Sequence, residues 1–211
     1  MPTHWHWVYS IDMAKFTREE VLEIAHKLRN ADLKGIDLRG SNLRGANLYG
    51  VNLNKANLNG ADLSQATLRG ANLRGAILRG GALCGTNLSG ADLSGAILNG
   101  ADLSRAFLYS AKLHKVNLSE ANLRETELTG ADLSGAILRM AYLFEAKLQE
   151  ANLHETEFSK ANLREADLTG ANLSGADFSE AIYNKLTKFP EGFDPEAAGM
   201  VNTDNPLAVG V

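Results

Sequence analysis

A leucine stands at every fifth position from Leu33 to Leu153 without a slip. The same phase continues through Phe158, Leu163, Leu168, Leu173, Phe178 and Tyr183. Two residues before each comes a small residue, most often alanine, as in Ala61-Asp62-Leu63 and Ala171-Asn172-Leu173. A helix repeats its faces about every 3.6 residues and a strand about every 2, so a strict five fits neither. The chain must turn a corner once per unit. Thirty-one such units follow one another over residues 31–185. A chain of that kind is a solenoid, in which each unit buries its apolar side only against its neighbours.

Within a unit the small residue and the leucine point the same way, because strand side chains alternate. That side is the interior, and the Asp or Asn between them points out. The last two residues make the corner. Glycine fills the final position in 16 of the 31 units. A type II turn needs φ > 0 at its third residue, which glycine adopts without a Cβ penalty.

This Ala-Asp/Asn-Leu-X-X unit resembles the pentapeptide-repeat family, whose members are especially numerous in cyanobacteria. The resemblance implies an all-β solenoid, a right-handed quadrilateral β-helix of four units per coil. Coils stacked at the ordinary strand spacing would give a rod roughly 35–40 Å long. Most members of the family have no assigned activity, and a minority are DNA mimics that inhibit topoisomerases. The leading expectation is a non-enzymatic protein–protein interaction or scaffold module. The alternative is a DNA-mimic inhibitor of a type II topoisomerase.

An open solenoid exposes strand edges at its ends, so covers are expected. Residues 1–16 read as an N-terminal arm, with Trp5, Trp7, Tyr9 and Ile11 alternating along part of it. Residues 17–30 read as a capping helix. Thr17 and Glu20 form a capping box, and Val21, Ile24, Ala25 and Leu28 make one stripe. Residues 186–198 read as a C-terminal cap in which Leu186, Phe189 and Phe193 cover the last coil. Residues 199–211 read as a loose tail.

The 211 residues carry a net charge of −4. That argues against a basic nucleic-acid binder and against a strongly acidic DNA mimic. Charge is unevenly spread, however. Residues 31–80 hold seven bases against three acids, and residues 120–181 hold twelve acids against five bases. The single Cys84 excludes an internal disulfide, and no secretory signal or membrane-spanning run is read, so a cytoplasmic location is expected. The sequence shows no motif for a cofactor or a metal. An unidentified protein partner and a monomeric state are expected.

Stacking residues four units apart yields four faces. The first carries Asp92, Lys112 and Asp132 in line, and the fourth Glu127, Lys147 and Asp167, where a lysine would relieve two acids. Apolar residues replace Asp or Asn on the second face at Ile77, Ile97 and Ile137, and around the next corner lie Met140, Tyr142 and Phe144. A contiguous apolar group across a corner points to a partner surface. Glu125, Glu145 and Glu165 form a column beside it, bracketed by Arg105 and Lys185, that a basic partner or a cation would suit. The expected partner surface is therefore Ile97, Ile137, Met140, Tyr142, Phe144, Glu125, Glu145 and Glu165.

No catalytic residue is assigned. His114, Ser134 and His154 share one column near Asp132, but on a convex face that would bind no transition state. Cys84 reads as an exposed thiol. Gly81 and Ala82 depart from the unit, and slack is expected in that coil.

Overall fold

Every parallel bridge from Asp32↔Asn52 to Asn162↔Ile182 joins residues 20 apart. One coil therefore takes four five-residue units, and the chain is a β-helix with four faces. The structure, a computed structural model, describes residues 28–204. The Leu33 amide donates to the Asn52 carbonyl at 2.8 Å, and the Asn52 amide to the Ala31 carbonyl at 2.9 Å. That exchange, repeated around each coil, is an ordinary parallel ladder.

Each corner closes by a four-residue turn, as where the Ala46 amide donates to the Leu43 carbonyl at 3.0 Å. From Gly35 to Glu180 the third residue has φ > 0 at every corner, at Gly45 (69°) and equally at Arg105 (56°) and Glu125 (56°). Side chains there cost about 1–2 kcal/mol each. The coil still imposes the conformation, because the same residue's amide must meet the next rung: Glu125 N–H donates to the Phe144 carbonyl at 3.0 Å.

Leucines from Leu53 to Leu153 fill the interior at no more than 1% exposure, with alanines lining the same axis. Each contributes roughly 1.5–3 kcal/mol of gross burial. Threonine replaces the inner alanine at three described positions and hides its hydroxyl by donating inward. Thr86, Thr126 and Thr156 reach the carbonyls of Leu63, Leu103 and Leu133 at 2.8, 3.1 and 2.9 Å. The coil of Gly81, where slack is expected, keeps its backbone ladder, and hydrogen exchange over residues 81–86 tests the expectation. The Gly81 amide reaches the Leu78 carbonyl at 3.0 Å and that of Leu83 the Asp102 carbonyl at 2.6 Å. A Cβ placed on Gly81 would sit 3.1 Å from the Leu78 oxygen, so an alanine there would need a small shift of its neighbours.

The N-terminal arm and the helix expected over 17–30 lie outside the described residues, apart from positions 28–30. Leu28 is 7% exposed and packs on the first coil. At the other end the repeat slips by one residue, and Asp167 pairs with Lys188, 21 positions on. Above it Phe178 stacks on Phe158 with centroids 5.0 Å apart, and Phe193 meets Phe178 edge-on at 5.3 Å. Phe189 and Phe193 pack on the core as expected, but Leu186 does not: it is 54% exposed. The turn Asn184–Thr187, in which Thr187 donates inward to the Leu163 carbonyl, directs Leu186 outward.

The loose tail expected from residue 199 is also corrected for residues 199–204. β1 (Ile182–Tyr183) pairs in parallel with β2 (Val201–Asn202), so these residues add one more side to the helix. Met200 is buried at its base, and Thr203 donates to the Tyr183 carbonyl. Residues 205–211 lie outside the described residues.

Candidate docking surface

The outward Asp and Asn have a local task that the repeat pattern did not disclose. Their Oδ1 accepts the amide two residues on, from Ser94 to Asp92 at 3.0 Å, from Ser104 to Asp102 at 3.0 Å and from Arg124 to Asn122 at 3.3 Å. These are Asx turns, which fix the approach to each corner. Amides also bridge rungs, as where Asn152 Nδ2 donates to Asp132 Oδ1 at 2.9 Å. A side chain that is neither Asp nor Asn gives up both contacts. Ile137 and Tyr142 are such positions, and neither side chain takes part in the Asx turns or the amide bridges between rungs.

The eight expected surface residues fall on two adjoining faces. Met140 is 52% and Tyr142 46% exposed, while Ile97, Ile137 and Phe144 are half-buried between their rungs. Ile97 lies two coils from Ile137, with Asn117 between them in the column. Arg124 lies over the Tyr142 ring, its guanidinium carbon 5.7 Å from the centroid. Glu125 is engaged from below by Arg105 in a two-pronged pair at 2.9 and 3.0 Å. Glu145 is exposed and Glu165 half-buried, and neither carboxylate has an ion pair among the described residues. Because the Arg105–Glu125 pair is exposed it adds little to stability. A second aromatic group, Phe107 and Tyr109, lies on the fourth face, with rings 6.2 Å apart.

The two lysine ladders resolve differently. Lys147 pairs with Glu127, while Asp167 pairs instead with Lys188 at 3.1 Å. On the first face Lys112 pairs with neither acid. Asp92 takes Arg74 at 3.2 Å, and Asp132 takes Ser134 and Asn152.

Asp92, Asp132 and Asp167 are all held below the ordinary carboxylate range. Burial works to raise each of them, and the hydroxyl and amide hydrogen bonds of Ser94, Ser134 and Thr169 outweigh it, with Arg74, Asn152 and Lys188 adding to the effect. Such groups stabilise the fold in full above the unfolded value near 3.8, and that contribution is lost as pH falls through the lower folded value. The melting temperature should therefore drop below about pH 4. A triple Asp→Asn change at 92, 132 and 167 keeps the amide acceptors and should flatten the drop. Thermal scans from pH 7 to pH 3 test this, and an equal acid slope in both proteins would refute it.

His114 Nδ1 lies 2.9 Å from Ser134 Oγ, and that hydroxyl donates to Asp132 Oδ1 at 2.7 Å. The single serine proton is thus committed to the aspartate, and the histidine acts as donor. In a hydrolytic triad the histidine stands between the two and takes the serine proton. The order here is different, and it builds a surface ladder. His154 repeats the contact one coil on from Ser134, with Ser174 at 3.0 Å. Among the described residues no three His, Cys, Asp or Glu side chains gather to hold a metal, and no helix is long and apolar enough to cross a membrane. Cys84, expected to be exposed, is half-buried.

A solenoid of parallel five-residue sides, decorated on its flat faces, defines a repeat protein. A family model described as pentapeptide repeats matches in eight copies, over residues 27–60, 46–83, 66–105, 82–114, 101–139 and 146–182. The chain belongs to the pentapeptide-repeat family. Among solved structures it is similar to the pentapeptide-repeat protein Rfr23 from the cyanobacterium Cyanothece 51142, at 41% identity and a TM-score of 0.44. That match covers 44% of this chain and 63% of the other, so the chain spans less than two thirds of that relative. HetL from Nostoc sp. strain PCC 7120, described as involved in heterocyst differentiation regulation, is 32% identical over 88% of this chain and 92% of its own, with a TM-score of 0.37. Full-length QnrB1, described as a plasmid-mediated fluoroquinolone resistance protein, is 19% identical over 83% and 89%, with a TM-score of 0.33. No curated protein matches the chain.

Proposed function

We propose that the protein is a non-enzymatic interaction module that docks a protein partner on the corner formed by Ile137, Met140, Tyr142 and Phe144, extended by Ile97 and rimmed by Glu125, Glu145 and Glu165. The observation that carries this is the exposure of Met140 and Tyr142 at positions where the coil has use for Asp, Asn or Gly. Covering those side chains would contribute roughly 25 cal/mol per Å² of apolar area. The acidic rim would orient the partner more than tighten it. We place the module in the cytoplasm, where its lone Cys84 meets no need for oxidation.

The reading as a topoisomerase-inhibiting DNA mimic has one feature in its favour, the acidic half from Glu120 to Glu180. The basic half from Lys34 to Arg79 opposes it, because a DNA mimic needs negative charge along its length.

The test is Ile137→Asp combined with Tyr142→Asn. Both changes restore an Asx acceptor, so the melting temperature should hold or rise slightly, while recovery of a partner from the native cell should collapse. Unchanged recovery by a folded variant would remove this surface, and a lowered melting temperature would make the patch structural.

A further inference from the structure

We infer that the third-face part of this surface, Tyr142 with the Glu125 column, is occupied by a second copy of the same chain laid antiparallel along that face, which leaves Ile97 and Ile137 of the second face open; this rests on the docking role proposed for that surface. The outward positions of the third face include one alanine, Ala82, one aromatic residue, Tyr142, and near the end Ile182, which the symmetry below sets on Asn42. Ala82 and Tyr142 stand equally far from the level midway between Asp102 and Asn122, itself near the middle of the rod. A two-fold axis in the interface at that level brings Tyr142 of each copy onto Ala82 of the other. The seat is a short side chain: Ala82 ends at Cβ where the neighbouring rungs of this face carry Asp62 and Asp102.

The polar groups follow the same symmetry. Asn122 meets Asp102 across the axis, so an amide meets an acid and no acid meets an acid. Arg105 meets Glu125 of the other copy, re-using a pair already formed within one chain at 2.9 Å. Sliding by one coil would set Tyr142 on Asp62 or Asp102, so the register is singular. One like-charged meeting, Arg79 with Arg139, falls at the far corner, where both side chains are exposed and reach solvent.

The face is about 10 Å wide, three extended residues, and about 38 Å long, or roughly 800 Å² over both copies. Stable interfaces bury about 1,200–2,000 Å². The association is therefore weak and reversible, which a charge swap can read.

The experiment is sedimentation velocity on the full chain from about 10 µM to about 1 mM at physiological salt. The weight-average mass should rise with concentration above the 22.7 kDa of one chain. Arg105→Glu and Glu125→Arg, each alone, should abolish the rise, and an equimolar mixture should restore it, since each variant then meets the opposite charge. Tyr142→Asn should abolish it without rescue. A wild type of constant mass, or a mixture no better than its components, overturns the inference. If a different protein is then still recovered through Ile137 and Tyr142, the docking reading survives without it. If the Ile137→Asp, Tyr142→Asn protein also recovers that partner unchanged, both fall.

Discussion

Leu103→Ala is expected to lower the unfolding free energy by about 2–5 kcal/mol. Leu103 is fully buried, with identical neighbours one coil above and below at Leu123 and Leu83, so nothing can collapse into the space it leaves. Its neighbour Ser104 points out and bonds through its backbone alone, the amide donating to Asp102 Oδ1 and the carbonyl accepting from the Gly85 amide. Ser104→Ala should therefore stay within about 0.5 kcal/mol. Denaturant titrations of the two variants separate inside from outside, and equal losses would overturn the assignment. In a solenoid the loss spreads through nearest-neighbour contacts. Hydrogen exchange should accordingly quicken first in the rungs that touch position 103.

The second large effect is expected at the C-terminal end. Phe178 is 2% exposed, lies nearly parallel to Phe158 with 5° between rings, and takes the edge of Phe193. Phe178→Ala should cost about 3–5 kcal/mol. Phe178→Leu restores the residue the repeat uses elsewhere and should cost only about 1 kcal/mol, the part owed to ring geometry. Calorimetry ranks the two, and exchange over residues 189–204 shows whether the cover detaches. Equal costs would mean that the rings merely fill volume.

The sequence made the interior legible because a core position is a constraint repeated at a fixed interval. Leu103 and Ala101 obey the same geometry as Leu63 and Ala61, and one slip would have put every later leucine outside. The phase also placed Met140 and Tyr142 outside, where the structure has them. Four features were hidden. The Asx turns were read as ladders alone, since spacing tells where Asp and Asn sit but not which amide they accept. The turn conformation at Arg105 and Glu125 carries no glycine to announce it. The side formed by Met200, Val201 and Asn202 lacks the Ala-X-Leu signature, and Leu186 was expected inward because hydrophobicity ignores the extra residue at Asn184–Thr187. Of the expected surface, Phe144 and Ile137 proved less open than their phase suggested, being wedged between neighbouring rungs.

The strict pairing of residues 20 apart gives the molecule a grammar of insertion and deletion. Adding or removing one whole coil changes the length by about 4.8 Å and leaves every downstream side chain on its own face. A single five-residue unit, equally compatible with the core, rotates everything beyond it by a quarter turn. Tyr142 would then leave the face that holds Ala82, although both local environments survive. A lineage of such chains can drift in length by coils and keep its recognition surfaces, while one unit gained or lost would rewrite them all without unfolding anything.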